Sequence, residues 1–327
     1  MHHLYKESGV DLDKARQVKK KYEPIVKTTF NENTISPLGL FGGFYELKDY
    51  KNPVIVSSTD GVGTKLVISN YLEKYHNLGQ DIVNHCINDV LTSGAKPLFF
   101  LDYIAVDSLV IEQAEGLVAG MAESCRDSGC VLIGGETAQL SGVYLKGQFD
   151  IAGFLVGVVE KDLLLEPAKV KKDDVLIGIP ANGLHTNGYS LVRKVFNIDN
   201  NPNILNKTYD ELGASLGDVL TRPHRSYYPL LEPILSEIVG MAHITGGGLI
   251  ENLMRVIPPG LNVNIDYGSW APESIFRLIQ TQGNVSEEEM WSVFNMGVGM
   301  VLICDQFKVP NILNKIEKSW VIGKVIE

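Results

Sequence analysis

The sequence predicts two domains of mixed α/β structure. The chain has 327 residues, and domains usually hold about 100–200 residues each. Hydrophobic residues make up 45% of the chain, enough to build two cores. Strand-like and helix-like apolar patterns alternate in both halves, as α/β proteins require. The charged segment 161–174 contains a proline, so we predict domains 1–165 and 166–327.

Periodicity gives the elements of the first half. The first 50 residues predict an extended arm with one helix near residues 13–21. Apolar residues one, three and four apart predict helices, and short apolar runs predict buried strands. In chain order we predict strand 53–58, helix 81–91, strand 97–106, helix 110–125, strand 130–133 and strand 148–160.

The second half begins again with a strand and continues to alternate. A polar stretch rich in Asn, residues 197–206, interrupts the pattern. The predicted elements are strand 175–179, helix 188–196, a strand ending near residue 243, helix 249–256 and a late strand that begins near residue 295.

Composition excludes several classes of protein. The chain has 29 basic and 39 acidic residues, a net charge of −10, and no basic tract. This argues against nucleic-acid binding, which depends on neutralising phosphates. Four cysteines without a CxxC pair predict small buried side chains rather than disulfides. No signal-like or membrane-length apolar segment is visible, so we expect a soluble, cytoplasmic protein with no membrane partner.

A glycine-containing loop follows the first strand. Its glycines would let backbone N–H groups approach an anion, with a carboxylate and an ammonium group beside them. The spacing is not that of a Walker A loop, and an ordinary turn is the alternative. The candidate anion-binding residues of this loop are Thr59, Asp60, Gly61, Gly63, Thr64 and Lys65.

Three carboxylates stand beside successive predicted elements. Asp60 lies in the loop, Asp89 inside a predicted helix and Glu136 after two glycines at a strand end. Oxygen ligands without clustered Cys or His favour Mg²⁺. A cap, an ion pair or a surface turn would explain each residue taken alone.

Two segments of the second half are candidates for anion binding. His185 and Asn187 precede a predicted helix, where exposed N–H groups can hold an anion; simple capping is the alternative. Thr245 is followed by Gly246, Gly247 and Gly248 before the next helix. Three consecutive glycines cost chain entropy, which favours a phosphate-binding loop.

Seven motifs taken together resemble one enzyme family. They are residues 5–11 (YKESGVD), 59–65 (TDGVGTK), 134–138 (GGETA), 156–161 (VGVVEK), 184–193 (LHTNGYSLVR), 243–248 (HITGGG) and 294–300 (FNMGVGM). In this order they resemble aminoimidazole ribonucleotide synthetase, the phosphoribosylformylglycinamidine cyclo-ligase family of purine biosynthesis, from about residue 5 to the C-terminus.

The resemblance implies a homodimer whose N-terminal domains form a β-barrel, with each C-terminal α/β domain packed outside. It implies ATP and Mg²⁺, with formylglycinamidine ribonucleotide converted to aminoimidazole ribonucleotide, ADP and phosphate through an imidoyl phosphate. By similarity, Asp60, Asp89 and Glu136 would hold Mg²⁺ and Lys65 would contact the nucleotide phosphates. Residues 246–248 would bind the substrate phosphate near Asn187, and His185 would move a proton during cyclisation.

The family pattern is not matched everywhere, and two other interpretations remain. Family members often carry Glu and Pro where this chain has Gln139 and Ser141, so Gln139 cannot act as a carboxylate. One alternative is a related phosphotransferase acting on thiamine monophosphate or selenide. The other is a non-catalytic nucleotide-binding scaffold, although all three candidate carboxylates are present.

Overall fold

The computed structural model describes residues 3–327. Two helices precede the first strand, α1 (His3–Glu7) and α2 (Leu12–Lys27). Asp11 caps α2, because its side chain accepts the backbone N–H groups of Asp13 and Lys14. Helix α2 runs past the predicted end at residue 21, since Val18 and Val26 are both buried where α2 packs on the helix of residues 111–127.

The first half of the chain forms a four-stranded sheet. Its strands are β1 (Pro53–Gly61), β2 (Lys96–Val106), β3 (Val131–Gln139) and β4 (Phe149–Glu160). Their order is β1-β4-β2-β3; β4 is antiparallel to both neighbours and β2 is parallel to β3. The helices are α3 (Lys65–Tyr71), α4 (Tyr75–Leu91) and α5 (Ile111–Asp127).

Two strands are longer than the sequence predicts. Asp60 pairs with Gly153 in β1, and Glu136 pairs with Tyr103 in β3. The sequence places Asp60 in a loop and Glu136 beyond a strand end, yet cross-strand pairing extends both strands through them. Polar residues and glycines at these positions hid the pairing from a pattern search.

Helices α4 and α5 cover one face of the sheet and touch each other closely. A Cβ atom at Gly79 would overlap the Leu117 carbonyl oxygen, and one at Gly120 would overlap the His76 carbonyl oxygen. Glycine inside a helix costs about 1 kcal/mol relative to alanine. The close contact between the two backbones explains why glycine occupies both places.

The opposite face of this sheet is partly open. Ile55 on β1 is 55% exposed and Phe154 on β4 is 45% exposed. A sheet with one covered and one open apolar face has the form of a half-barrel.

The segment between the halves holds two short 3₁₀ turns, Lys161–Leu163 and Pro167–Lys169. Its side chains are mostly exposed. The division of the chain at residues 165 and 166 stays a prediction.

The second half forms a five-stranded antiparallel sheet in the order β8-β10-β5-β11-β9. The strands of this half are β5 (Val175–Pro180), β6 (Thr208–Tyr209), β7 (Ala214–Ser215), β8 (Gly240–His243), β9 (Asn262–Ile265), β10 (Val298–Cys304) and β11 (Trp320–Ile326), of which β6 and β7 pair separately. All seven residues of β10 are buried.

Helices surround this second sheet. They are α6 (Tyr189–Val195), α7 (Leu216–Leu220), α8 (Tyr228–Leu231), α9 (Gly248–Met254), α10 (Ser274–Gly283), α11 (Glu287–Val293) and α12 (Val309–Lys315), with 3₁₀ turns at Pro202–Asn206 and Glu232–Glu237. The predicted mixed α/β class is confirmed for both halves.

The two halves share one apolar core. Residues of α4 and α5 belong to the same buried cluster as Tyr227, Leu231 and Met300 of the second half. All four cysteines are buried and free, as predicted. Within residues 3–327, no helix combines the length and the apolar character needed to cross a membrane.

Candidate active site

Loops from both halves contact each other at one place, and we call the region around this contact the cleft. The Thr64 and Ser190 hydroxyl oxygens are 3.1 Å apart. Gly63 turns the chain with a positive φ of 56°, and a Cβ there would lie 3.4 Å from the Thr186 carbonyl oxygen. The segment after β1 and the segment before α6 therefore line the same space, although about 120 residues separate them in sequence.

Asp60 and Asp89 face each other across one histidine in this cleft. His85 Nε2 lies 2.8 Å from an Asp60 oxygen and 3.9 Å from an Asp89 oxygen. The other Asp60 oxygen accepts the Gly61 N–H at 2.7 Å, and Ser58 donates to Asp89 at 3.1 Å. Both carboxylates keep about a third of their side-chain surface exposed, 39% and 33%.

The surroundings of this pair favour its ionised form. Burial raises the pKa of Asp60, but the hydrogen bond and charge of His85 and the Gly61 N–H outweigh it, so that pKa is lowered. Burial also opposes ionisation of Asp89, whose pKa is nevertheless lowered by the hydrogen bond and charge of His243. Two ionised carboxylates open to solvent are suited to a hard cation.

Glu136 does not join them within one chain. It lies exposed on β3, at the opposite edge of the sheet from β1. Three strand spacings separate the edges, about 14 Å. The expectation that three carboxylates converge therefore holds in this chain for Asp60 and Asp89, and Glu136 stands apart.

A chain of hydrogen bonds links the two aspartates through the second half. Its five contacts run from Asp60 to His85 (2.8 Å), Thr186 (2.9 Å), His224 (3.4 Å), His243 (3.0 Å) and Asp89 (2.8 Å). All four linking residues are at most 6% exposed. We call this set the histidine chain.

The protonation of the histidine chain follows from counting hydrogens. Each contact needs one hydrogen, while three neutral imidazoles and one hydroxyl supply only four. An imidazolium at any one of the three histidines supplies the fifth; placed at His85, it donates to both Asp60 and Thr186. Thr186 then donates to His224 Nδ1, His224 Nε2 donates to His243 Nε2, and His243 Nδ1 donates to Asp89.

The direction of each histidine pKa agrees with this assignment. Burial lowers the pKa of His85, but Asp60 and Asp89 outweigh it and the pKa is raised. Burial lowers the pKa of His243 despite its bond to Asp89. Burial, together with neighbouring His185 and His243, places the pKa of His224 well below its ordinary value. One charged and two neutral rings satisfy all five contacts.

His185 sits beside this chain without belonging to it. Its ring stacks on His224 with centroids 3.9 Å apart, and its Nε2 accepts the Asn182 N–H at 3.0 Å. The pKa of His185 lies well below its ordinary value, first because of burial. Its neutral ring therefore carries hydrogen on Nδ1, a buried atom without a partner. His185 also holds a positive φ of 61°, a strained conformation common at functional sites.

The lone pairs that remain available in the cleft favour oxygen ligands over imidazole nitrogens for a metal. Two groups are close enough to hold an ion, His185 with His224 and His243, and His85 with Asp89 and His243. However, the ring nitrogens of these histidines are occupied by hydrogen bonds or by hydrogen. The available lone pairs belong to Asp60 and Asp89, and oxygen donors suit Mg²⁺.

The triple-glycine loop lies next to Asn187. A Cβ at Gly246 would lie 3.2 Å from the Asn187 side-chain oxygen, and the Asn187 Nδ2 is buried without a partner. Gly247 and Gly248 have positive φ values of 95° and 71°. Asn252 fixes the loop, because its amide donates to the carbonyls of Thr245, Gly246 and Gly248.

Lys65 is placed differently from the expectation that it contacts phosphate. Its ammonium is completely buried, 2.8 Å from Asp81, and also donates to the Arg222 carbonyl at 2.6 Å. Burial lowers the pKa of Lys65 and raises that of Asp81. These contacts place Lys65 between the two halves with its ammonium paired to Asp81, and its contact with phosphate stays a prediction.

Sequence reasoning missed residues that organise the cleft. It gave no role to His85 and did not single out His224 or Asn252. One signal was available: Asn77, Asp81, Asn84 and Asn88 recur at spacings of four and three on an otherwise apolar helix. Such spacing puts all four on one helix face. His224 had no comparable signal.

Comparison with known proteins identifies the family. A model described as "AIR synthase related protein, N-terminal domain" matches residues 45–159, and the corresponding C-terminal model matches residues 171–327. A phosphoribosylformylglycinamidine cyclo-ligase of Thermoanaerobacter sp. (strain X514) is 47% identical, covering 99% of this chain and 97% of the relative. This chain belongs to the phosphoribosylformylglycinamidine cyclo-ligase family. A cyclo-ligase of Desulfitobacterium hafniense (strain DCB-2) is 45% identical over similar coverage.

Solved structures of related fold are more distant from this cyclo-ligase family member. A thiamine-monophosphate kinase from Stenotrophomonas maltophilia has a TM-score of 0.69 at 12% identity, covering 95% of this chain and 92% of that one. The hydrogenase maturation protein HypE in complex with ATP has a TM-score of 0.63 at 16% identity, covering 93% and 84%. These likenesses concern the fold.

The resemblance drawn from the seven motifs is confirmed by these matches. The chain is a ligase-family enzyme, and the scaffold alternative is set aside. The roles of individual site residues stay predictions, refined by the geometry of the cleft.

Proposed function

We propose that this enzyme converts formylglycinamidine ribonucleotide and ATP to aminoimidazole ribonucleotide, ADP and phosphate in purine biosynthesis, in the cytoplasm. One observation carries the proposal. The cleft joins an ionised carboxylate pair from one half to unpartnered polar groups and a glycine loop from the other. The 47% identity to a named cyclo-ligase supports assigning phosphoryl transfer and ring closure to these groups.

The nucleotide would lie against the end of β1 and the segment that follows it. Thr59 and Gly61 in β1, with Gly63 and Thr64 after it, would offer backbone and hydroxyl groups, and Asp60 with Asp89 would hold Mg²⁺. When bound, Mg²⁺ neutralises charge on the transferred phosphoryl group. HypE and thiamine-monophosphate kinase structures that contain ATP or an ATP analogue support this use of the fold. We assign Lys65 to holding the two halves together.

The substrate would occupy the second half of the cleft. The unpartnered Nδ2 of Asn187 and Nδ1–H of His185 are donors suited to the oxygens of a ribonucleotide. Thr245 and residues 246–248 form a loop on which a phosphate can approach the backbone. Asn252 keeps that loop in shape from behind.

The proposed chemistry has two steps. The formyl oxygen attacks the γ-phosphorus of ATP, the bond to ADP breaks, the formamide nitrogen loses its proton, and an imidoyl phosphate forms. A substrate nitrogen then attacks the activated carbon and loses a proton. The C–O bond breaks, and phosphate leaves with the former formyl oxygen. Holding both reacting groups in one pocket lowers the activation free energy of ring closure by about 7–11 kcal/mol. With its Nε2 occupied by Asn182, His185 is suited to donate a hydrogen bond to a substrate oxygen rather than to accept the proton.

We further propose that the enzyme works as a homodimer. The open apolar face with Ile55 and Phe154 and the two free sheet edges at β1 and β3 are what a second half-barrel would cover. Glu136, about 14 Å from Asp60 within one chain, would serve as a metal ligand only if a second chain brought it to the cleft.

The test is an assay of the purified chain with formylglycinamidine ribonucleotide, ATP and Mg²⁺. Aminoimidazole ribonucleotide is measured by diazo coupling and ADP by a coupled assay, and we expect both in equal amounts. Thiamine monophosphate is the control substrate. ADP release with thiamine monophosphate but not with the ribonucleotide would refute the proposal in favour of a kinase.

A further inference from the structure

We propose that Thr186 and His224 are positioning residues that hold the Asp60–Asp89 pair through the histidine chain. The inference rests on the proposed function of this pair in binding Mg²⁺ and ATP. Neither residue contacts either carboxylate; each acts through His85 or His243. The second half of the chain thereby sets the geometry of acidic ligands that belong to the first half.

The two ends of the histidine chain accept hydrogen bonds from different histidines. Asp60 comes from β1 and Asp89 from α4, and each accepts one imidazole N–H at 2.8 Å. Groups that orient metal ligands in this way commonly change metal affinity by about 10–100-fold when removed. Fixing both carboxylates at once requires that His85 and His243 be fixed relative to each other.

The connection between those histidines belongs to the second half. Thr186 lies before α6 and His224 before α8, and they are 6% and 1% exposed. A buried polar group without a partner costs about 1–3 kcal/mol. Turning either side chain would break two contacts of the histidine chain at once, so each is held in one orientation.

Helix α4 fixes the backbone that carries His224. Asp81 accepts the His224 N–H at 2.6 Å, and the Asn84 amide donates to the His224 carbonyl at 2.8 Å. Asn88 donates to the Arg225 carbonyl at 2.8 Å and accepts the Tyr227 N–H at 3.0 Å. The helix that carries His85 and Asp89 therefore also places the residue that links them.

A matched pair of variants tests the middle of the histidine chain. Thr186→Val keeps the shape and removes the hydroxyl, whereas Thr186→Ser keeps the hydroxyl. Binding of Mn²⁺ with a non-hydrolysable ATP analogue is followed by electron paramagnetic resonance, and histidine ring nitrogens by ¹⁵N NMR. We expect Thr186→Val to weaken Mn²⁺–nucleotide binding about tenfold and to shift the His243 ring signals, two contacts away. Thr186→Ser should behave as the wild type does.

A second pair tests His224 itself. His224→Phe keeps a ring to stack on His185 but makes no hydrogen bonds, and His224→Gln keeps an N–H that can reach His243. We expect weaker Mn²⁺–nucleotide binding in the first variant and substantial recovery in the second. His76→Gln, at an exposed histidine outside the cleft, is the control. If His224→Phe fails to fold, the Thr186 pair decides alone.

The outcomes separate this inference from the proposed function. Wild-type protein that binds Mn²⁺–nucleotide but forms no aminoimidazole ribonucleotide refutes the proposed reaction and leaves the positioning test readable. Equal Mn²⁺ affinity and unchanged His243 signals in Thr186→Val, Thr186→Ser and wild type overturn the positioning role. A loss of melting temperature with unchanged affinity in Thr186→Val would also overturn it, since only packing would then be involved.

Discussion

Asp102 should make the stability of this protein depend on pH. It lies on β2, only 9% exposed, and faces Tyr22 of α2, Cys125 of α5 and Glu136 of β3. Burial, with a further contribution from the charge of Glu136, raises the pKa of Asp102 to about 7, although its own backbone N–H works against this. The perturbation we consider is Asp102→Asn, which keeps the size of the side chain and removes its titration.

The sign and size of the effect follow from linkage. The folded-state pKa of about 7 exceeds the ordinary value of 3.8, so the native state binds more protons between these values. The unfolding free energy therefore falls as pH rises from about 4 to about 7 and is flat above. At about 1.36 kcal/mol per pH unit, the unfolding free energy falls by about 4 kcal/mol over the whole interval. Between pH 5 and pH 8 the unfolding free energy falls by about 3 kcal/mol.

The assay is urea unfolding at pH 5 and pH 8, followed by circular dichroism at one protein concentration. The unfolding free energy of the wild type should fall by about 3 kcal/mol more than that of Asp102→Asn over this interval, because other titrating groups cancel in the difference. Asp127→Asn, at an exposed aspartate, should retain the wild-type pH dependence. The same pH dependence in wild type and Asp102→Asn would refute the reasoning.

Three further changes test the cleft. Asp89→Asn should reduce turnover at least about tenfold because it removes a proposed metal ligand; near-normal ADP release at saturating Mg²⁺ would contradict this. Gly247→Val should raise the substrate KM, because a Cβ at this position lies 2.5 Å from the Glu251 carboxylate and φ is 95°. Gly260→Ala is the control, since Gly260 has a φ of 90° and open space around it. An unchanged KM in Gly247→Val would remove the loop from the substrate site. Lys65→Met should lower the unfolding free energy by about 3–5 kcal/mol, because it leaves the charge of Asp81 buried and unpaired. Urea unfolding measures this change. An unchanged unfolding free energy with a raised KM for ATP would instead support contact between Lys65 and phosphate.

The periodic elements could be predicted from the sequence because one strong signal defines each. Helix α4 shows its buried face in Ile82, Cys86 and Val90, and β10 is apolar throughout. The ends of elements were harder. The sequence predicts that β3 ends before Gly134, which leaves Glu136 at the strand end, whereas pairing with β2 keeps Gly134 and Gly135 in the strand. Pairing of this kind depends on a partner strand that a local pattern does not contain.

The centre of the cleft could be predicted only in part. Asp60 and Asp89 stood beside recognisable motifs, whereas His224 lies in the segment 221–226 (TRPHRS), which has no periodicity. Its position follows from backbone contacts with α4, more than 130 residues earlier in the chain. Lys65 shows the converse difficulty. A lysine beside a glycine loop suits a phosphate and a buried ion pair equally well, and only the location of Asp81 distinguishes them.

The interface between the halves argues for a preformed site. The groups proposed for nucleotide and substrate come from different halves, so an enzyme of this kind could assemble its site by domain closure. Here the halves instead share an apolar cluster and the buried Lys65–Asp81 pair. Side chains of α4 also form hydrogen bonds with the backbone of residues 221–227. A hinge between them would have to expose that cluster and unpair those groups, at several kcal/mol. The carboxylate pair is therefore oriented before ligands bind. Groups that are already oriented stabilise the charge that develops in the transition state without the cost of rearranging during the reaction.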